Sequence, residues 1–344
     1  MNNRIAHIKQ GTRQALSLLL LLLALGLTGC FKEKAIAPPG NHGAAQTGIV
    51  DMGPGYADQF FFSLATNSVV STNSRMAYDL MFECKQGRYY VWLNTAKFMS
   101  VYKTDKTDFA QVTSADTSNL SWKYELGAFE DDSNAIGKWW DSLTPLPVSN
   151  NRVYLVFLGL DAEGNSLGCI KLKINGFSAD NYSISYAAID DAVGTTHQIA
   201  KDDTRNYSYF TFNNGGSVVN IEPDKSTWDL CFTRYTEVFY EPYYLPYEVT
   251  GVLSNPDRVG AYMDSTINFD SFTIADFQPA LLSFKRDAVG YKWKRFTIGG
   301  SGYAVLRDWS FFIKADEERF YKLHFVTFVK DGENGHFVFD YFRL

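Results

Sequence analysis

Few residues in this chain are spaced for catalysis. It has five histidines, at 7, 42, 197, 324 and 336. None is paired in sequence with a cysteine nucleophile, and no Gly-x-Ser-x-Gly elbow occurs. General acid–base work would fall to the acidic pairs Asp131-Asp132 and Glu317-Glu318. Both lie in turn-like surroundings, where solvation is expected rather than catalysis. Asp161, Glu163 and Asn165 alternate like oxygen ligands of a calcium loop. The twelve-position pattern ending in glutamate is missing, so an ordinary turn is expected there. The four cysteines, at 30, 84, 169 and 231, show no zinc spacing. The expectation is a binder and not an enzyme, with its metal ligands, if any, unassigned.

Residues suited to recognition are aromatic. Phe239, Tyr240, Tyr243, Tyr244 and Tyr247 crowd one stretch together with Pro242 and Pro246. Prolines stiffen such a loop, and its rings could stack on a flat or ring-shaped ligand or fold back onto their own domain. Tyr262 and Met263 follow shortly after and complete the candidate binding set. A methionine in mid-segment is also an ordinary core filler.

These residues need a scaffold, and the sequence describes one twice. Tyr78-Asp79-Leu80-Met81-Phe82 and Trp228-Asp229-Leu230-Cys231-Phe232 repeat an aromatic, an aspartate and then alternating apolar residues. Phe60-Phe61-Phe62 and Ser68-Val69-Val70 precede the first phrase, as Tyr209-Phe210-Thr211-Phe212 and Ser217-Val218-Val219 precede the second. Further on, Ala135-Ile136-Gly137 answers Ala288-Val289-Gly290, and Lys171-Leu172-Lys173-Ile174 answers Lys322-Leu323-His324-Phe325. Only 17 positions separate Cys84 from Val101, whereas 27 separate the corresponding Arg234 and Ala261. The aromatic stretch is therefore an insertion peculiar to the second copy. No segment sustains a helical apolar period for more than about two turns, and the 16% aromatic content favours strands. The expected fold is all-β, with two tandem antiparallel domains at 56–190 and 205–344 joined by a polar linker at 191–204. Cys84 and Cys231 fall in core strands of different copies, so they are expected as buried thiols and not as a bridge.

Ahead of the repeats, Arg4, Lys9 and Arg13 precede a leucine-rich run from Ala15 to Leu27, too short for a comfortable membrane span. It ends at Leu27-Thr28-Gly29-Cys30, which resembles a bacterial lipobox. The expectation is a signal peptide over 1–29, lipidation of Cys30 and membrane attachment by acyl chains, each buried methylene adding about 0.8 kcal/mol. Residues 30–55, rich in Gly and Pro, are expected as a tether. The formal charge of −6 falls by three more units without Arg4, Lys9 and Arg13, which argues against a nucleic-acid partner.

The framework of the second copy, Tyr209-Phe210-Thr211-Phe212, Ser217 to Ile221, Trp228-Asp229-Leu230, Arg234-Tyr235 and Phe311-Phe312 through Tyr321 to Phe325, resembles the HmuY family of Bacteroidetes haem-binding surface lipoproteins. The resemblance covers about half of that copy and reaches the first copy only through the repeat. It implies an all-β outer-membrane lipoprotein on the cell surface that acquires haem or another tetrapyrrole for a TonB-dependent transporter. Haem would need an apolar cleft, an axial iron ligand and donors for its propionates. The stretch Asp264 to Leu323, where the family carries histidine or methionine ligands, has neither residue, and Thr297-Ile298-Gly299-Gly300 stands where one histidine is expected. Met263 then becomes the candidate iron ligand. The alternative is a non-haem surface lipoprotein: a carbohydrate-binding or adhesive module, or a structural one.

Overall fold

Runs of aromatic and β-branched residues bounded by Gly, Asn and Asp become strands, because pleated sheets accommodate those side chains and turns accept those backbones. The structure, a computed structural model, describes residues 44–297 and 302–344. The expected signal peptide, Cys30, most of the expected tether, and Ile298 to Gly300 lie outside the described residues. The fold is all-β, and its only helical pieces among the described residues are short 3-10 turns.

In chain order the strands begin with β1 (Gln46–Asp51), β2 (Asp58–Ser63), β3 (Ser68–Ser74), β4 (Leu80–Glu83), β5 (Val91–Leu93), β6 (Ser100–Lys103) and β7 (Lys123–Tyr124). A ribbon, β8 (Trp140–Leu143) and β9 (Pro147–Ser149), precedes β10 (Val153–Phe157), β11 (Cys169–Ser178), β12 (Asn181–Ala188) and β13 (Thr195–Ala200). Then come β14 (Tyr207–Thr211), β15 (Ser217–Val219), β16 (Leu230–Phe239), β17 (Leu245–Ser254) and β18 (Gly260–Asp264). A second ribbon, β19 (Lys294–Thr297) and β20 (Gly302–Val305), leads to β21 (Ser310–Lys314), β22 (Phe320–Lys330) and β23 (Glu333–Arg343).

Four sheets carry the fold. The outer sheets run β13-β12-β11-β10-β6-β7 and β1-β23-β22-β21-β18, and the inner sheets run β15-β14-β4-β5 and β17-β16-β2-β3. One core, with Leu80, Phe82, Leu172, Ile184 and Phe210, lies between the first outer sheet and its inner neighbour. Its counterpart, with Phe62, Leu230, Phe232, Leu323 and Phe339, lies in the other pair. A third, with Phe61, Met81, Tyr209, Cys231 and Tyr235, joins the two inner sheets face to face. Strands β4 and β14 are buried throughout for that reason, their polar Glu83, Ser208 and Thr211 included.

The strands do not sort by copy. β2 pairs with β16 (Phe60↔Phe232, Phe62↔Leu230), and β14 pairs with β4 (Tyr207↔Glu83, Phe210↔Leu80). β1 pairs along its whole length with β23, while β13 pairs with β12. One half is thus a continuous stretch, β4 to β15, and the other combines β1–β3 with β16–β23. The described residues form one compact unit, and the expected domains in series are corrected to interlocked halves. The expected linker at 191–204 contains the edge strand β13, with Ile199 in the core, and the end of the expected tether at 46–51 is β1, with Val50 in the core. Both are edge strands whose hydrogen bonds are made by the backbone, so their polar composition conceals them.

Contacts repeat across the halves. Asp79 accepts from Phe212 N (2.7 Å) and Thr211 Oγ1 (3.0 Å) and pairs with Lys97; Asp229 accepts from Leu64 N (2.8 Å) and Arg258 Nη2 (2.9 Å). Each aspartate of the repeated phrase therefore clamps the hairpin supplied by the other copy. Asn94 Nδ2 donates to Tyr78 O and Asn255 Nδ2 to Trp228 O, both at 2.9 Å. Thr113 with Asp116 and Thr273 with Asp276 form matching capping boxes.

Candidate functional site

The inserted aromatic stretch is the far half of a long hairpin. β16 and β17 pair without a break from Leu230↔Ser254 to Phe239↔Leu245, roughly 30 Å of ribbon. Its base is pinned to the first half. Thr236 Oγ1 donates to Thr95 O (2.8 Å), and Gly127 N donates to Thr236 O (3.1 Å). Residue 127 must be glycine, because a Cβ there would lie 2.2 Å from the Tyr235 ring. On the other edge Arg234 Nη2 meets Glu248 at 2.7 Å and its guanidinium lies over Tyr56. Burial pushes the Glu248 carboxyl up, while Arg234 and Arg75 pull it back.

Beyond that base the rings turn outward. Tyr240 is 69% exposed, Tyr243 65%, Tyr244 54%, Tyr247 50% and Leu245 41%. Tyr240 and Tyr244 pair edge to face at 5.9 Å. Phe239 behaves differently: it is partly buried, with its ring 5.8 Å from Tyr247 and 6.3 Å from Tyr291. The tip is therefore a ridge of solvent-facing phenols on a fixed base.

The structure separates the other two candidates from this ridge. Tyr262 and Met263 sit on β18, an edge strand of the other sheet, and alternation sends them to opposite faces. Tyr262 is buried against Phe312, with parallel rings 5.4 Å apart, and its hydroxyl accepts from Gln278 N (3.0 Å). Met263 pairs with Phe311 along the strand and is about one-third exposed. Among the described residues no ring pair or hydrogen bond links either residue to the hairpin tip.

The described histidines also have structural partners. His197 lies between Tyr186 and Phe210 at 5.4 and 5.1 Å, and His336 Nδ1 lies 3.2 Å from Asp51. His324 stacks on Phe269 at 3.8 Å, and burial lowers its pKa. The candidate residues thus do not assemble the cleft and axial ligand that haem needs. Asp161 closes an ordinary turn, accepting from Asn165 N (2.7 Å) and Glu163 N (3.0 Å). Asp131 pairs with Arg88, and Glu317 pairs with Lys314 at 2.8 Å.

The tip also has a direction. β1 starts beside the β2–β3 turn, where Asn67 Nδ2 donates to Thr47 O and Tyr341 Oη to Leu64 O. β16 starts beside that same turn and runs past Phe60 and Tyr56 to the tip. The chain therefore enters β1 at the end of the half opposite the exposed tyrosines.

A second feature escaped the sequence reading. On the outer face of β11 and β12, beside the segment Thr107 to Phe109 and the loop Ala192 to Gly194, lies an open groove of about 420 Å3. Lys173, Asn175 and Ser185 form its floor. The signal was there in Lys-Leu-Lys-Ile-Asn and Tyr-Ser-Ile-Ser, strands polar on one face only. No protein-family model matches the chain, and comparison with curated proteins finds no match.

Proposed function

We propose that the protein is a non-catalytic accessory lipoprotein of the outer-membrane surface that docks a protein partner through the tip of the β16–β17 hairpin. One observation carries this reading: five large apolar or aromatic side chains face solvent on one hairpin whose base is fixed by buried contacts. Tyrosine supplies wide contact area at little conformational cost and keeps a polar edge for water, the composition expected of an intermittently covered surface. The lipid expected on Cys30 would hold the protein at the membrane, and a tip at the end opposite the β1 entry suits a partner that projects from the bilayer. A TonB-dependent transporter, the partner implied by the HmuY resemblance, is of that kind.

A tetrapyrrole is the ligand that the same resemblance implies, but an exposed ridge supports docking better than it supports haem capture. The test places a photo-crosslinking residue at Tyr243 and, as a control, at the exposed Val148, in chain anchored in its native envelope. The expected result is a discrete adduct with an outer-membrane protein from position 243 alone. Equal labelling from both positions would overturn the reading. So would a saturable, shifted Soret band with haemin at micromolar concentration that disappears when Tyr243 and Tyr244 become alanine.

A further inference from the structure

We infer that the groove over β11 and β12 is a binding subsite for a neutral hexopyranose ring. Its floor is a pre-formed hydroxyl and amide network. Asn175 Nδ2 donates to Ser185 Oγ (2.8 Å) and reaches Ser183 Oγ at 3.3 Å, and Ser185 Oγ lies 2.8 Å from Thr196 Oγ1. These bonds occupy the Asn175 amide nitrogen and turn its carbonyl oxygen free to accept. Lys173 Nζ, bonded to Thr107 O at 3.2 Å, has donors to spare, and Asp108 uses Oδ1 on Ala110 N (3.0 Å). Donors and acceptors of both kinds thus line one space of about 420 Å3, with Phe109 and Val193 as apolar borders for a sugar's C–H face.

The other half shows that the fold does not require this opening. Lys171 Nζ donates to Phe109 O (2.8 Å) as Lys322 Nζ donates to Phe269 O (2.7 Å), which sets the two outer faces in correspondence. Strand pairing then matches Lys173 with His324, Ser185 with Asp340 and Ala187 with Phe342. In the second half Phe269 stacks on His324 at 3.8 Å and lies 5.7 Å from Phe342. Lys173 and Ala187 take the places of His324 and Phe342 in the first half, and a groove stands where its counterpart is packed with rings. The loop above it is held back by Lys171 Nζ on Asp191 O (2.6 Å) and by Gly194, whose absent Cβ leaves room for the Phe109 ring.

The test titrates the full chain, without its lipid, with methyl glucoside, methyl mannoside and methyl galactoside, followed by saturation-transfer NMR. At least one is expected to saturate with a dissociation constant on the order of 1–10 mM, as for a shallow polar site. The double variant Lys173→Ala/Asn175→Ala should weaken it at least fivefold, while Asn181→Ala, on the same sheet face but bonded only to Ala179 O, should not. Melting points equal to that of the parent chain show that the variants fold. Absence of saturation by every sugar, affinity unchanged in the double variant, or saturation by the zwitterion alanyl-alanine alone would each overturn the inference.

Discussion

Replacing Asp229 by asparagine tests the interlocked architecture directly. Its carboxylate is fully buried; one oxygen accepts from Leu64 N at 2.8 Å, the other from Arg258 Nη2 at 2.9 Å. Asparagine keeps one acceptor and puts an NH2 group before the remaining donor. Losing a hydrogen bond to a charged group costs about 1.5–3 kcal/mol. Leaving the mostly buried Arg258 without its counter-charge raises the total to about 3–5 kcal/mol. Asp79→Asn should cost about as much, because Phe212 N and Thr211 Oγ1 share one carboxylate oxygen and the buried Lys97 holds the other, so an amide fails one side or the other and leaves Lys97 without its counter-charge. The assay is urea unfolding followed by near-ultraviolet circular dichroism. Each variant is expected to lower the midpoint and to unfold in one transition, since each half is closed by a hairpin from the other copy. A loss below about 1 kcal/mol, or two separated transitions, would refute the reasoning.

Other outcomes follow from the same contacts. Tyr240→Asp/Tyr244→Asp should change stability by less than about 0.5 kcal/mol, because both rings are exposed, while abolishing the position-243 adduct; calorimetry checks the first part. Of the three described cysteines, Cys84 and Cys231 are buried, so only Cys169 should react with a thiol reagent before unfolding. Burial pushes Glu222 up to about 7 and Glu125 up to about 8. The folded chain then holds protons that the unfolded chain releases above about 4.5, so stability should fall as pH rises from there to about 8. Melting points across that range check this, and Glu222→Gln should flatten the part below about 7. Burial lowers Lys294 to about 7, with the opposite sign: between there and about 10 the unfolded chain binds the extra proton, and this contribution to stability should rise with pH.

The all-β class was legible because apolar residues repeat in short runs between turn formers, and the doubled phrase around Asp79 and Asp229 marked matching core strands. The three C-terminal strands, the turn at Asp161 and the free buried thiols also follow from local composition. Partner choice was not legible. Phe60 to Phe62 and Tyr207 to Thr211 both carry aromatic rings on both faces, so pattern alone allows either to lie beside β4 or β16. β13 (Thr-Thr-His-Gln-Ile-Ala) has one fully buried residue and looks like a linker until its backbone pairing is known. The Tyr235 to Tyr247 insertion was visible as a cluster of rings, but the exposure of its tip follows from the length of the ribbon. Tyr262 and Met263 are adjacent on one strand, and alternation alone already forbids both from facing the same ligand.

The offset between sequence repeat and folded half sets an order of assembly. A chain delivered from its N-terminus can complete β4 to β15 once residue 219 has arrived. β1 to β3 must wait for β16 to β23, bridging about 150 residues at an entropic cost near 4–5 kcal/mol. Removing residues before position 75 would therefore do more than shorten the chain. It would strip an edge from one sheet and two strands from another, and traction on the lipid anchor proposed at Cys30 would be borne by the last seam to close.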